Sequence, residues 1–340
     1  MRTRKLGRTD LEISEIIFGG IPILQYTLDK AASVLNAALD EGINTFDTAR
    51  GYGDSEVKMG EVLSKVDCTI TSKSTKTDAE GMTADLDLTL QNLKRDHVDV
   101  YAMHQVFTPD DLEKALGPDG SCEALIKAKE QGKIRHIAIT GHNRDTLIAA
   151  IEQAGDVIES CMFLFNPMET DALDRLVPLC VERGVGLVGM KIPGGGTFTS
   201  EQALASAKWC LNQPITCCNI GFATEEEIRA TARIGRESLD MSEADEAAVQ
   251  SIRDDWENRY CRRCGACAPC PKGINIVGTL VGESMVKRLG WGVLDGRSFL
   301  DNIRLANDCD ACGECIGNCP WSLNVPELLP DAVKAIEDLA

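Results

Sequence analysis

The sequence lacks a long apolar run and lacks a surplus of basic residues. No stretch reaches the ~18 apolar residues that a membrane-spanning helix needs, and the opening segment MRTRKLGRTDLEIS has no apolar core resembling a signal peptide. Lys and Arg total 35 against 53 Asp and Glu, which gives a net charge of -18. Nucleic-acid binding requires a positive surface, and anionic membranes repel an anionic one. We therefore expect a cytoplasmic protein with neither nucleic-acid nor membrane partners.

Cysteine, in contrast, is abundant and grouped. Eight of the 15 cysteines form two runs near the C-terminus, each closed by a proline. The runs are Cys261, Cys264, Cys267 and Cys270 before Pro271, and Cys309, Cys312, Cys315 and Cys319 before Pro320. In a reducing compartment, thiols grouped in this way are metal ligands rather than disulfides. The C-x2-C-x2-C-x3-C-P spacing of the second run is typical of [4Fe-4S] clusters, and two zinc sites on the same C-x2-C units are the less favoured alternative.

Residues 1 to about 235 alternate short apolar runs with amphipathic stretches, the rhythm of repeated strand-helix units. Eight candidate strands can be counted: Ile16 to Phe18, Asn44 to Asp47, Thr69 to Ser72, Val98 to Met103, His136 to Thr140, Cys161 to Phe165, Gly186 to Met190 and Ile215 to Ile220. Eight alternations predict an α/β fold, a closed (β/α)8 TIM barrel rather than an open sheet. Before the first strand, RKLGRTDLEI predicts a hairpin that plugs the bottom of the barrel. Thr83 is predicted to cap the helix containing TADLDLTLQNLKRD.

The two cysteine runs predict a small second module after the barrel. We place the barrel in residues 1–240, and a helical linker with a ferredoxin-like domain in residues 241–340. A weak internal repeat, CPKGINI against CPWSLNV, fits the two-cluster ferredoxin pattern, in which the last cysteine of each run crosses to the other cluster. One cluster would then use Cys261, Cys264, Cys267 and Cys319, and the other Cys309, Cys312, Cys315 and Cys270. The insertion between the runs, residues 271–308, is expected to pack on the barrel.

Four polar residues follow candidate strands at the rim where barrel enzymes carry their catalytic groups. Asp47 ends the second strand with Tyr52 five residues later, Lys73 ends the third and His104 follows the fourth. This set suits carbonyl reduction, in which Tyr52 donates a proton to the carbonyl oxygen. Lys73 would lower the tyrosine pKa from its ordinary value of ~10, and Asp47 would hold Lys73 in place. His104 would donate to the oxygen and orient the substrate.

These four residues, in this order and at strand ends, resemble the catalytic tetrad of the aldo-keto reductases. The resemblance runs through most of residues 1–235, and the cysteine-rich tail resembles that of a subgroup with fused clusters. It implies oxidation or reduction of a small carbonyl compound or alcohol, with a nicotinamide cofactor. The cofactor site carried over from the family comprises Thr140, Gly141, Asn166, Met190, Lys191, Gly194, Gly195, Gly221 and Glu227.

Several of these positions depart from the family's pattern. Gly141 replaces the usual asparagine, and Met190 replaces the aromatic residue that stacks on the nicotinamide ring. Residues 194–196 offer bare glycine backbone to a pyrophosphate, or form a flexible loop. Gly221 and Glu227 stand where NADP-specific members carry Lys and Arg, which favours NAD over NADP. Alternatively, Glu227 and its acidic neighbours stabilise the N-terminus of the following helix through its dipole.

The two modules allow three functional interpretations. Clusters accept single electrons whereas hydride transfer moves two, so a flavin usually converts between them, and no flavin motif is recognisable. In the first interpretation the clusters exchange electrons between the barrel and an external carrier such as ferredoxin or flavodoxin, through a flavin or directly. In the second, ordinary NAD-dependent chemistry proceeds and the clusters are structural. In the third, the barrel is catalytically silent and the protein is an electron-transfer subunit.

Overall fold

The computed structural model describes residues 1–340 and contains a closed barrel of eight parallel strands. A two-stranded hairpin, β1 and β2, precedes the barrel strands β3 to β10, and β10 pairs with β3 to close the ring. The strands are β1 Thr3–Lys5, β2 Glu12–Ser14, β3 Ile16–Gly19, β4 Thr45–Asp47, β5 Thr69–Ser74, β6 Val98–Met103, β7 Ile134–Gly141, β8 Ser160–Leu164, β9 Gly186–Met190 and β10 Cys217–Gly221. The predicted (β/α)8 fold is confirmed, because each predicted barrel strand overlaps an observed one.

Helices follow the barrel strands, and a separate group forms the C-terminal module. The first group is α1 Leu28–Asp40, α2 Ser55–Leu63, α3 Ala79–Leu93, α4 Pro109–Leu116, α5 Ser121–Glu130, α6 Arg144–Ala154, α7 Leu176–Glu182, α8 Ser200–Leu211 and α9 Glu225–Ile234. Then come α10 Glu243–Trp256, α11 Ile276–Val293, α12 Gly296–Arg304, α13 Glu314–Asn318 and α14 Val325–Glu337. Short 3-10 helices lie at Pro22–Gln25, Asp171–Leu173 and Leu305–Asp308. No helix is both long enough and apolar enough to cross a bilayer.

The start of α3 differs from the prediction. Asp78, not Thr83, caps this helix, and its carboxylate accepts a hydrogen bond of 2.7 Å from the Gly81 amide. Thr83 lies inside the helix, where its hydroxyl donates to the Ala79 carbonyl. The helix begins one turn earlier than predicted because aspartate is as good a cap as threonine, and the Asp78 position lies directly before residues that already favour helix.

The N-terminal hairpin plugs the bottom of the barrel, as predicted. β1 and β2 pair antiparallel, and Leu6 and Leu11 pack with strand residues that point into the barrel, among them Val100. Gly7 at the turn has φ 54°, and a side chain there would collide with the backbone at Gly186. The hairpin therefore closes the end opposite the carboxyl ends of the strands.

The C-terminal module packs over the carboxyl ends of the strands. The linker helix α10 begins at a capping box made by Ser242 and leads to the first cysteine run. Helix α11, the first part of the predicted insertion, packs on the 3-10 helix Pro22–Gln25 at the barrel rim. There the Gln25 side-chain amide donates to the Arg288 carbonyl at 2.6 Å. The predicted packing of the insertion on the barrel is thus observed, and the rim that carries the predicted tetrad lies beneath the module.

Candidate active site

The barrel brings the four predicted catalytic residues together. Asp47 ends β4, Lys73 lies near the end of β5 and His104 directly follows β6, while Tyr52 lies in the loop between β4 and α2. Since β4, β5 and β6 are neighbours in the barrel, their carboxyl ends deliver these side chains to one part of the rim. The Lys73 ammonium contacts both carboxylate oxygens of Asp47, at 2.8 and 2.7 Å, and donates to the Thr48 carbonyl at 2.6 Å.

The buried ion pair is itself held from two sides. Thr71 donates its hydroxyl to Asp47 Oδ1 at 2.6 Å, and Asn219 donates its amide to Oδ2 at 2.9 Å. Burial acts to lower the pKa of Lys73, but the Asp47 carboxylate and the Tyr52 hydroxyl outweigh it and raise that pKa. The lysine is therefore a fixed cation. Asn219 was missed from the sequence, although an amide inside the otherwise apolar strand CCNIG was a usable signal.

Tyr52 lies beside this cation, but its pKa moves against the prediction. The Lys73 Nζ atom is 4.9 Å from the centre of the tyrosine ring. Burial raises the tyrosine pKa more than Lys73 lowers it, and the Asp47 charge raises it further. The expected net lowering is therefore wrong, because desolvation of the phenolate outweighs one paired ammonium. Tyr52 remains a neutral phenol near pH 7, with a proton to donate.

His104 faces Tyr52 as a neutral imidazole. The two ring centroids are 5.9 Å apart with an interplanar angle of 81°. Burial, assisted by the charges of Lys73 and Lys191, lowers the pKa of His104 to about 2. Its Nδ1 atom is buried and has no hydrogen-bond partner in the protein. A neutral ring here can donate one hydrogen bond without adding charge.

A cavity of about 430 Å³ opens over the tetrad and is walled by both parts of the chain. The barrel contributes the tetrad and five of the predicted cofactor residues, which are Thr140, Met190, Lys191, Gly195 and Gly221. The module contributes residues of α11, including Val281 and Arg288, and also Arg263. Arg263 and Arg288 were not predicted, because contacts between segments so far apart in the chain leave no local pattern.

The remaining cofactor positions do not reach this cavity. Asn166 is fully buried, and its amide donates to Glu169 at 2.5 Å and to the Lys191 carbonyl at 3.1 Å. Glu227 lies in the first turn of α9, whose N-cap is Thr224, and its carboxylate accepts a hydrogen bond of 2.7 Å from the Ala223 amide. Gly141 lines a different, smaller cavity.

The predicted pyrophosphate loop is occupied by arginines of the module. The Arg263 guanidinium donates to the Gly194 carbonyl at 3.1 Å and contacts Gly195, where any side chain would collide with it. Arg288 lies against Gly196 and donates to the carbonyl of Gly221. The Asn166 amide also donates to groups within the protein. The two arginines, the glycine loop and Asn166 therefore do not fit an extended nicotinamide dinucleotide that lies along the rim. We therefore derive no step through that cofactor.

The thiols of the two runs fall into two neighbourhoods. Cys270, Cys309, Cys312 and Cys315 line one small cavity, which combines three cysteines of the second run with the last of the first. Cys267 also borders this cavity; burial raises its pKa, and the thiols that add to this shift are first Cys261, then Cys264 and Cys315. Burial raises the pKa of Cys261, and the neighbouring thiols that add to this shift are Cys264 and Cys319. This is the grouping expected of crossed cluster ligands. No three His, Cys, Asp or Glu side chains are arranged to hold a single metal ion.

The fold and the site define an oxidoreductase barrel fused to an iron-sulfur module. A family model described as the aldo/keto reductase family matches residues 15–243, and one described as a 4Fe-4S dicluster domain matches residues 260–324. The chain belongs to the aldo/keto reductase family and carries a C-terminal 4Fe-4S dicluster domain.

Individual relatives match part of the chain. An uncharacterized oxidoreductase, YqkF, of Bacillus subtilis (strain 168) is 27% identical over 227 residues, 61% of this chain and 71% of the relative. An L-galactose dehydrogenase of Arabidopsis thaliana is 29% identical over 220 residues, 58% of this chain and 67% of the relative. Among solved structures, the holo form of the aldo-keto reductase AKR11C1 from Bacillus halodurans matches with a TM-score of 0.64 at 20% identity. That match covers 74% of this chain and 96% of that structure, and it shows the fold alone.

Proposed function

We propose that the protein interconverts a small carbonyl compound and its alcohol at the barrel rim, and that two [4Fe-4S] clusters exchange electrons with this site. The position of Arg263 supports this coupling between the clusters and the barrel site. Arg263 stands between two cysteines of the first run and lines the same cavity as the tetrad. Its backbone amide hydrogen-bonds Cys261 while its guanidinium reaches Gly194. The first cluster and the reacting carbonyl would thus be separated by little more than this residue.

The tetrad supplies acid-base chemistry. Reduction of a carbonyl requires two electrons and two protons. The neutral phenol of Tyr52 gives one proton to the oxygen, and the Lys73 ammonium stabilises the phenolate that forms. His104, also neutral, donates a hydrogen bond to the same oxygen and sets its orientation. The carbon receives the two electrons and the second proton, which solvent supplies.

The electrons would come from a one-electron carrier outside the protein, of the ferredoxin or flavodoxin class. When bound, the clusters would supply one-electron transfer at a potential set by their surroundings. Cys261, Cys264, Cys267 and Cys319 would hold one cluster, and Cys270, Cys309, Cys312 and Cys315 the other. Two turnovers of the carrier balance one carbonyl reduced, and the reverse direction delivers two electrons to the carrier.

Turnover with different electron donors tests this proposal. Protein purified and reconstituted without oxygen is given an aldehyde with either dithionite-reduced methyl viologen or NADH as the donor. The proposal expects viologen oxidation that depends on both the aldehyde and intact clusters. If NADH supports full turnover and the Cys312→Ser protein keeps that rate, the clusters are structural and the proposed coupling is refuted.

Full turnover with NADH in the Cys312→Ser protein corresponds to an ordinary NAD-dependent reductase with structural clusters. One feature favours it, since Thr140 and Met190 line the cavity beside the tetrad, where the nicotinamide end of the cofactor lies in the family. The preference for NAD over NADP stays a prediction, which equal activity with NADH and NADPH would contradict. A catalytically silent barrel is tested separately by substitution of Tyr52.

A further inference from the structure

The cavity over the tetrad is strongly cationic although the chain as a whole carries a net charge of -18. Lys191, at the end of β9, and the module residues Arg263 and Arg288 all line it. Buried or half-buried cations are costly unless an anion compensates them. Three of them on one cavity wall therefore call for an explanation.

No carboxylate of the protein pairs directly with any of these three side chains. None of the three forms an ion pair within 4.0 Å, whereas Lys73 in the same cavity is paired with Asp47 at 2.7 Å. Glu169 acts to raise the pKa of Lys191 and Arg263, and Glu227 that of Arg288, but neither carboxylate lies within ion-pair distance. Glu169 accepts a hydrogen bond from the Asn166 amide, and Glu227 accepts one from the Ala223 amide.

The surroundings of Lys191 also indicate a site for an anion. Burial, together with the charges of Arg263 and Arg288, lowers the pKa of Lys191 to about 8. The backbone at Lys191 is left-handed, with φ 60°, a conformation uncommon for a residue other than glycine. Three positively charged side chains thus lie close together, an arrangement that a bound anion would stabilise.

We propose that Lys191, Arg263 and Arg288 form an anion subsite that binds the phosphate or carboxylate group of a ligand whose other end lies at the tetrad. The site is built jointly by the barrel and the cluster module, so it exists only when the two are packed together. This inference rests on the proposed function for the identity of the reacting end. Guanidinium groups recognise phosphate and carboxylate through paired hydrogen bonds, which suits both arginines.

Two kinds of ligand carry an anionic group of this chemistry. It belongs either to the carbonyl substrate itself, as in an oxo acid or a phosphorylated aldehyde, or to a phosphate-bearing redox cofactor such as a flavin mononucleotide. Two matched ligand pairs separate these sources. Glyceraldehyde 3-phosphate and glyceraldehyde differ only in the phosphate, as do flavin mononucleotide and riboflavin.

Calorimetric titration of the anaerobic holoprotein with both pairs, and with inorganic phosphate, tests the subsite. We expect one phosphorylated ligand to bind at least ~10-fold more tightly than its neutral partner. Arg288→Gln and Lys191→Met should each weaken that ligand by about 10- to 100-fold, the usual effect of losing a charged hydrogen bond. Arg288→Lys should recover part of the affinity. Lys287→Met is the matched control, because Lys287 neighbours Arg288 on α11 but is exposed and paired with Glu283.

The titrations distinguish a substrate site from a cofactor site. A preference for glyceraldehyde 3-phosphate assigns the subsite to the substrate, and a preference for flavin mononucleotide assigns it to a cofactor. No preference in either pair, together with equal affinity for inorganic phosphate in wild-type and Arg288→Gln protein, overturns the subsite. Repeating the titration in Tyr52→Phe protein separates the two proposals, since anion binding should persist there even if the tetrad has no catalytic role.

Discussion

Replacing Tyr52 with phenylalanine removes the proposed proton donor and little else. The ring would keep its position beside Lys73, 4.9 Å from the ammonium, and its edge contact with His104. The hydroxyl also interacts with the Lys73 ammonium, but that ammonium keeps the Asp47 carboxylate and the Thr48 carbonyl as hydrogen-bond partners when the hydroxyl is removed. We therefore expect the melting temperature and the iron content to be unchanged, as for substitutions that break no buried contact.

Turnover, in contrast, should fall by about 10²- to 10⁴-fold, the usual contribution of a positioned acid. Because burial raises the pKa of Tyr52, wild-type reduction of a saturating aldehyde that carries no anionic group should be independent of pH through neutrality and decline only above tyrosine's ordinary value of ~10. Viologen-linked reduction of an aldehyde from pH 6 to 10.5 measures both effects.

A matched control uses a tyrosine away from the cavity. Tyr101 lies in β6, fully buried, with its hydroxyl 3.1 Å from that of Thr89. Tyr101→Phe should cost about 1 kcal/mol of stability through the lost hydrogen bond and leave turnover intact. Full turnover by Tyr52→Phe would refute the assigned role, as would equal losses in the two variants.

Three further predictions concern the ion pair, the histidine and the clusters. Asp47→Asn leaves the Lys73 ammonium buried without a counter-charge and should lower the free energy of unfolding by about 3 kcal/mol, with recovery when Lys73→Met is added. Chemical denaturation measures this, and a double variant without recovered stability argues against the pair. Because the pKa of His104 is lowered to about 2, its ring stays neutral, and the pH profile of kcat/KM should have no inflection near pH 6.5. An inflection that is present in the wild type and disappears in His104→Gln would contradict this assignment. Cys312→Ser should lower the iron content from about eight to about four atoms per chain, whereas Cys68→Ser, outside both runs, should leave it unchanged.

Local pattern was sufficient for the barrel and the tetrad. Each barrel strand is a short apolar run between amphipathic helices, and catalytic side chains at strand ends are placed by topology rather than by loop shape. Asp47 and Lys73 could therefore be predicted to meet before any contact was known. The neutral state of Tyr52 could not be predicted, since its pKa depends on how completely the packed module and rim exclude water.

The cofactor region was predicted less well for a related reason. Residues 194–196 have the composition of a pyrophosphate loop, but its environment is determined by Arg263 and Arg288, which belong to a different module. Asn166 matches the family by position, yet its amide is engaged by Glu169. Contacts between modules depend on how two surfaces pack, and no periodicity in the chain encodes that arrangement.

Electron transfer from the clusters to a carbonyl at Tyr52 is the central claim, and rapid mixing tests it directly. Protein with both clusters reduced is mixed without oxygen and without free reductant with an aldehyde, while the cluster absorbance is followed. The account predicts reoxidation with one alcohol formed per two electrons lost, and a strongly slowed reoxidation in Tyr52→Phe protein. Clusters that stay reduced while NADH-driven reduction proceeds would contradict it.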